Sequence, residues 1–172
     1  MFQTIASQLS VRRMPPCLLP LRVGVGHKVR VDQKVTAMNK QGLKKWATKK
    51  RFLLILAWRK WCDLGTGQNC AEELTKCAVR SRYVEPRDSV WGATLKAWVS
   101  DHNPPGWACK AACDLVLDMG WVPTCDDEWA AMTQVWMEAH GPYAQVEEAL
   151  KAFPPHLDRE RLREFVQFAF TE

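Results

Sequence analysis

The stretch WAAMTQVWMEAH, Trp129–His140, repeats the spacing of an earlier stretch, WGATLKAWVSDH, Trp91–His102. In each stretch the first Trp is followed by a second Trp seven positions on, and by a His four positions after that. The two copies start 38 residues apart. Positions seven and eleven residues apart lie on the same face of an α-helix. The spacing therefore predicts two helices, each with an aromatic stripe along one side.

The repeat extends beyond these two helices. Each copy continues through a break that contains Pro into a second helical segment, and Leu54 and Trp61 align with Trp91 and Trp98 at an offset of 37 residues. A repeat period between 20 and 50 residues is typical of stacked helical units that bury a continuous core between neighbours. We therefore expect an all-α, α-solenoid-like stack of about three helical hairpins, residues 43–82, 88–120 and 126–154, closed by a helix over residues 157–171.

The repeated spacing predicts particular helices and core positions within the repeat domain, residues 43–172. The expected helices cover residues 43–62, 71–81, 89–101, 107–119, 127–139 and 144–153. Asp88 and Asp126 each precede the first Trp of a helix by three residues, where a carboxylate can cap the helix N-terminus. Trp stripes are far more often core than ligand sites. The expected repeat core contains Trp61, Trp91, Trp98, Trp129 and Trp136.

Charge divides the chain unevenly. Residues 1–61 contain fourteen Lys or Arg and one acidic residue, a net charge of +13, whereas residues 62–172 have a net charge of −8. A basic arm of this kind favours a polyanionic partner, because clustered cations bind phosphate without reading sequence. Trp46 lies inside the densest cluster, where it either stacks on a base or, as we favour, packs inward. The expected RNA contacts are Lys44, Lys45, Lys49, Lys50, Arg51, Arg59 and Lys60.

The N-terminal segment, residues 1–30, has the composition of a mitochondrial presequence. It contains Arg12 and Arg13 and no acidic residue, and Phe2, Ile5 and Leu9 fall at helical spacing. The alternative is a basic tail; residues 31–42 then form a linker or arm. The longest apolar run, FLLILAW at residues 52–58, is too short to span a membrane. We therefore expect no membrane span and a location in the mitochondrial matrix.

The cysteines and the remaining motifs give little sign of chemistry. Of the seven Cys, the pairs Cys109/Cys113 and Cys70/Cys77 lie on helical segments, yet no Cys-x2-Cys pair is present. We interpret the cysteines mainly as buried structural thiols, with disulfides and a metal site as alternatives. No complete phosphate loop or catalytic elbow occurs, and no His has an evident acidic partner. We expect neither a cofactor nor enzymatic activity.

Two segments resemble pentatricopeptide repeats. GWVPTCDDEW, Gly120–Trp129, is similar to the Gly-x-x-Pro hinge that leads into the first helix of that repeat, and VEEALKAF, Val146–Phe153, is similar to the start of its second helix. His140-Gly141 also resembles the Gly-containing break between the two helices. The resemblance implies RNA work in an organelle: transcript stability, processing, translation, or a structural place in the mitochondrial ribosome.

The acidic body favours the last of these functions, because a negatively charged surface is poorly suited to hold RNA along its length. We therefore expect a structural, non-catalytic component of the mitochondrial ribosome. Its expected partners are rRNA and other ribosomal proteins in a large hetero-complex, with no small-molecule substrate. One alternative is a pentatricopeptide-type factor for organellar RNA processing or stability. Another is an accessory subunit of a respiratory complex or of the ATP synthase.

Overall fold

The computed structural model describes residues 40–170, with the backbone alone for Lys40. This part of the chain contains eight α-helices and no β-strand, which confirms the predicted all-α class. The proposed presequence, residues 1–30, and residues 31–39 of the predicted arm lie outside the described residues. The helices are α1 (Lys40–Lys50), α2 (Phe52–Trp61), α3 (Gly67–Arg80), α4 (Gly92–Ser100), α5 (Gly106–Asp118), α6 (Asp126–His140), α7 (Val146–Ala152) and α8 (Arg159–Phe170).

The predicted helix over residues 43–62 is divided at Arg51 into α1 and α2. Arg51 keeps right-handed helical backbone angles, with φ −57° and ψ −22°. Leu43, Leu54 and Ile55 are fully buried, so both helices contribute to the core. Trp58 donates its Nε1–H to the carbonyl oxygen of Cys70 at 3.1 Å, which ties α2 to α3. The buried indole is therefore satisfied as well as packed.

Helices α5 and α6 lie at the centre of the packing. Helix α5 packs against α2, α3 and α6, and α6 packs against α1, α2, α5 and α8. The contact faces of α5 and α6 carry small side chains, and Ala111, Ala112 and Ala130 are 0% exposed. Small residues let the backbones of neighbouring helices approach closely.

Helices that belong to successive copies of the repeat contact one another. Helix α2 packs on α4, α3 packs on both α4 and α5, and α5 packs on α6. Helix α1 packs on α6 and α8 instead. The structure therefore establishes the helical class, and the stacked-hairpin arrangement stays a prediction.

The starts of α4 and α6 differ from the predicted caps. Helix α4 begins at Gly92, with Trp91 as its N-cap, so Asp88 lies in the preceding loop. Helix α6 begins at Asp126 itself, and its N-cap, Cys125, makes no side-chain cap hydrogen bond. The carboxylate of Glu128 instead accepts from the Thr124 backbone N–H at 2.7 Å and from the Thr124 hydroxyl at 2.9 Å. Glu128 thus binds the residue before the N-cap, and neither aspartate caps its helix as predicted.

The last helix forms as predicted and is joined to α7 by polar contacts. Arg159, at the start of α8, donates to the carbonyl oxygens of Leu150, Phe153 and Pro154. Helix C-termini leave carbonyl groups without intrahelical partners, so this one guanidinium satisfies the end of α7. Asp158 accepts from the backbone N–H groups of α8's first turn at 2.9 and 3.1 Å.

Candidate nucleic-acid interface

Five of the seven predicted RNA contacts are exposed cations on the first two helices. Helix α1 buries Leu43 and Ala47 and leaves Lys44, Lys45 and Lys49 exposed. Arg59 and Lys60 are exposed in the last turn of α2. Within residues 40–170 none of these five side chains forms an ion pair. We call these five residues the exposed cations.

The other two predicted RNA contacts are engaged by the protein itself. The ammonium group of Lys50 lies 2.7 Å from a carboxylate oxygen of Asp127, and both side chains are about one-third exposed. Arg51 is half-buried, and its Nε has no hydrogen-bond partner among the described residues. Helix α1 packs on α6, so its last turn meets the acidic start of that helix. Lys50 and Arg51 therefore contribute less to a surface for phosphate than the exposed cations do.

Trp46 packs inward, as favoured from the sequence. Its ring centroid lies 6.2 Å from that of Phe165, and its Nε1–H donates to Asp127 at 2.6 Å. The indole is half-buried and packs against the core. With its polar end bound and its ring against Phe165, Trp46 is not a platform for an RNA base.

The five Trp residues predicted for the repeat core divide into two groups. Trp129 is buried, while Trp98 and Trp136 are half-buried and pack against the core. Trp61 and Trp91 are 44% and 77% exposed, so the prediction of a core position is wrong for both. Trp61 is the last residue of α2, and Trp91 precedes α4 with an extended backbone. Trp91 therefore lies outside its helix, and Trp61 lies at the very end of α2.

Trp61 and Trp91 lie toward the same end of the molecule. Phe52, which starts α2, stacks on His102, just beyond the end of α4, with ring centroids 4.0 Å apart. Since α2 and α4 pack together, the end of α2 and the start of α4 lie toward the opposite end. There the backbone of Gly92 meets Gly67 so closely that an added Cβ would lie 2.6 Å from the Gly67 carbonyl carbon. We call the end of the molecule that carries Trp61 and Trp91 the aromatic end.

A cavity of about 810 Å³ opens beside the aromatic end. It lies along the loop between α3 and α4, and Trp91, Trp98, Arg87 and Asp88 are among its lining residues. The guanidinium carbon of Arg87 lies 5.4 Å from the centre of the Trp107 ring, which holds the loop against α5. It is wide open to solvent and so forms a groove in the surface. We call this cavity the α3–α4 groove.

A polar cluster centred on Asp114 of α5 joins that helix to α6 and to the loop that follows α3. Its carboxylate accepts a hydrogen bond from the Tyr83 hydroxyl at 2.8 Å and lies 2.9 Å from Nε2 of His140. Burial and the neighbouring Asp114 raise the pKa of Tyr83. His140 thus has an acidic partner that the sequence did not reveal, because 26 residues separate the two. No Ser, Thr or Cys side chain hydrogen-bonds to this His–Asp pair in the described part of the chain, and the cluster ties α5 to α6.

The cysteines correct one sequence-based interpretation and support another. Cys62 and Cys70 form a disulfide that joins the end of α2 to the first turn of α3, so these two are not thiols. Cys77, Cys109 and Cys113 are buried free thiols, as expected. Burial raises the pKa of all three, to about 12 for Cys109, so they stay protonated and unreactive at neutral pH.

Two of the seven cysteines are neither in the disulfide nor among the buried thiols. Cys125 is exposed, contrary to the interpretation as a buried thiol, and Cys17 lies outside the described residues.

Across residues 40–170 no group of three or more His, Cys, Asp or Glu side chains is arranged to hold a metal ion. Over the same range no helix has the length and apolar character needed to cross a membrane.

Comparison of the chain with protein-family models, with curated proteins and with solved structures finds no match.

Proposed function

We propose that the protein is a structural, non-catalytic component of the mitochondrial ribosome. In this proposal it contacts rRNA through its basic N-terminal part and neighbouring proteins through its acidic helical body. The observation that carries the proposal is the set of exposed cations on α1 and α2, which have no ion-pair partner in the described part of the chain. When such cations neutralise RNA phosphates, counterions condensed on the RNA are released, and this release drives binding.

The acidic residues of the body support the division of roles. Asp126 and Glu147 are engaged by Arg161 and Arg163 of α8, so part of the negative charge is used inside the fold. Residues 62–172 still have a net charge of −8, which repels an RNA backbone and attracts basic proteins. Phosphate contact is therefore expected mainly at the N-terminal helices, and protein contact over most of the rest of the surface.

The finer architecture belongs to the same proposal. We propose an α-solenoid-like stack of about three hairpins with an extended basic N-terminal arm, imported into the mitochondrial matrix. The 38-residue repeat supports the stack, as do the contacts of α2 with α4 and of α3 with α5. The acid-free composition of residues 1–30 supports import.

Binding to RNA tests the role of the exposed cations. The variant Lys45→Glu/Lys49→Glu is compared with Lys96→Glu/Lys151→Glu, which makes the same charge change at exposed lysines on α4 and α7. Affinity for a fluorescent single-stranded RNA is measured over a range of KCl concentrations. We expect the first variant to lower affinity and to reduce the slope of log Kd against log salt by about 1.4, since each lost phosphate contact removes about 0.7. Equal behaviour of the two variants would contradict the proposal.

Sedimentation tests the assembly. Tagged protein from gently lysed mitochondria is expected to migrate with a ribosomal subunit, and RNase is expected to abolish that migration. A small RNase-sensitive particle would favour a pentatricopeptide-type RNA factor instead. Migration with a membrane-derived complex that resists RNase would favour an accessory subunit of a respiratory complex or of the ATP synthase.

A further inference from the structure

We propose that the aromatic end binds single-stranded RNA by base stacking, with one base on Trp91 in the α3–α4 groove and another on Trp61. The inference deepens the proposed function and rests on it, because it requires that the protein contacts RNA. It goes beyond that function by assigning contact to bases as well as to phosphate. The two residues concerned were expected in the core, and the structure places them on the surface.

The exposure of these two side chains is unusual within this protein. The chain has nine Trp, and the seven others are all buried or half-buried. Trp91 is 77% exposed although Trp98, seven residues on in α4, packs its ring edge-on against that of Trp107, with the ring centroids 5.7 Å apart. An indole that stays in water leaves a broad flat apolar surface unpartnered, and every nucleobase has a face that can cover it.

The backbone geometry keeps Trp91 in this position. Gly92 lies against Gly67, and the Gly92 N–H donates to the side-chain oxygen of Gln68 at 2.8 Å. Both contacts hold the start of α4 on the first turn of α3. The ring of Trp91 is therefore attached to a rigid element, which lowers the conformational entropy lost when a base stacks on it.

The charges around the aromatic end favour nucleic acid over an apolar peptide. Arg59 and Lys60 immediately precede Trp61, and Lys76 and Arg80 of α3 lie beside Asp88 and Ser89 of the loop that borders the α3–α4 groove. The exposed carboxylate of Asp63 follows Trp61 by two residues, so the phosphate is expected on the side of Arg59 and Lys60. Cations next to an exposed aromatic ring provide for the phosphate and the base of one nucleotide together. Within residues 40–170 none of these four cations forms an ion pair.

The lining of the α3–α4 groove also suits a base. Trp91 and Trp98 provide apolar surface, and Ser89 and Thr94 provide hydroxyl groups. Asp88 can accept a hydrogen bond from an exocyclic amino group, as carboxylates do from cytosine. The carboxylates of Asp88 and of Glu85, which also lines the groove, repel phosphate, so the RNA backbone is expected on the side of Arg59 and Lys60.

The test compares a single-stranded RNA with an abasic strand of the same length and charge. Affinity of the full chain for each strand is measured for wild type, Trp91→Ala, Trp61→Ala and the control Met119→Ala, which removes another exposed apolar side chain. We expect Trp91→Ala to weaken RNA binding about tenfold, within the range known for loss of one stacked base, and to leave abasic binding unchanged. Trp91→Phe is expected to restore most of the RNA affinity, and Met119→Ala to behave as wild type.

The other outcomes separate this inference from the proposed function. If Trp91→Ala and Trp61→Ala both bind RNA as wild type does, while Lys45→Glu/Lys49→Glu still weakens binding, base stacking is excluded and phosphate contact stands. If wild type binds neither strand, the proposed function fails and this inference fails with it. If Trp91→Ala leaves RNA affinity unchanged but releases a protein from the sedimenting particle, the groove is a protein-docking surface and the inference is wrong. Circular dichroism of each variant verifies that the fold is retained.

Discussion

The stretches Trp91–His102 and Trp129–His140 share one spacing and occupy opposite environments. Helix α6 covers the whole of the second stretch, and Trp129 is 5% exposed and stacks on Phe165 at 6.3 Å. Helix α4 begins after the first Trp of its stretch and ends before the His, and Trp91 is 77% exposed. The pattern thus predicts burial of the first Trp where that residue lies inside the helix, as Trp129 does and Trp91 does not.

The ends of the two helices explain the difference in length. Helix α6 has three acidic residues in its first turn, which complement the helix dipole, and it is 15 residues long. Helix α4 has no acidic residue in its first turn and no basic residue in its last, and it is 9 residues long. His102 adopts a left-handed backbone, with φ 53°, which stops α4 before the Pro residues that follow.

The largest expected effect is on stability, and it contrasts the two first Trp residues. Trp129→Ala removes a buried ring that stacks on Phe165 and is expected to lower the free energy of unfolding by about 3–5 kcal/mol. Trp91→Ala removes an exposed ring and is expected to change it by about 0.5 kcal/mol or less. Urea unfolding followed by circular dichroism measures both. Similar losses for the two variants would show that the copies are equivalent after all.

The disulfide is expected to have the next largest effect. It holds α3's first turn, and so the neighbouring start of α4, in a way that has no counterpart at α6. Cys62→Ser/Cys70→Ser is expected to lower the free energy of unfolding by about 2–3 kcal/mol, because the unfolded chain regains the freedom of a short loop. Urea unfolding without reductant measures this loss, and Cys125→Ser, at an exposed free thiol, is the matched control.

The same pair of cysteines also tests the proposed location. Disulfides persist in oxidising compartments and are reduced in most others. The disulfide predicts that Cys62 and Cys70 resist alkylation in intact mitochondria until a reductant is added. A reducing matrix predicts that both are alkylated at once. Mass spectrometry of the alkylated protein decides between the matrix and an oxidising compartment.

The smallest of these effects compares the residues that follow each first Trp, Gly92 and Ala130. A Cβ at Gly92 would lie 2.6 Å from the carbonyl carbon of Gly67 and 2.7 Å from the backbone nitrogen of Gln68. Gly92→Ala is therefore expected to cost about 1–3 kcal/mol, because backbone atoms must move to admit the methyl group. Ala130→Gly, its counterpart, is expected to cost about 1 kcal/mol from helix propensity, with a further loss of buried contact. A neutral Gly92→Ala would show that α4 is free to shift away from α3.

Local patterns predicted most helices and part of the candidate site. The helices over residues 107–119, 127–139 and 157–171 form within three residues of their expected bounds. Trp46 packs inward as expected, and Lys44, Lys45 and Lys49 are exposed because Leu43 and Ala47 on the same helix face the core. These predictions succeeded because helical periodicity and charge are properties of neighbouring residues.

Contacts between residues far apart in the chain could not be predicted from such local patterns. Lys50 and Trp46 meet Asp127 across 77 and 81 positions of the chain, and Tyr83 meets Asp114 across 31. The Cys62–Cys70 pair was also missed, since cysteine spacing does not show which sulfur atoms a fold brings together.

By itself the sequence determined that this protein is helical, that its cations are concentrated in the N-terminal third of the chain, and that one Trp-containing pattern occurs twice. Those features follow from the period of apolar residues and from the count of charges, which need no knowledge of folding partners. Only the tertiary structure decided that the two copies differ, that Trp61 and Trp91 face solvent beside the α3–α4 groove, and that Cys62 joins Cys70. Burial and pairing depend on which surfaces meet, and helices of similar pattern meet different neighbours.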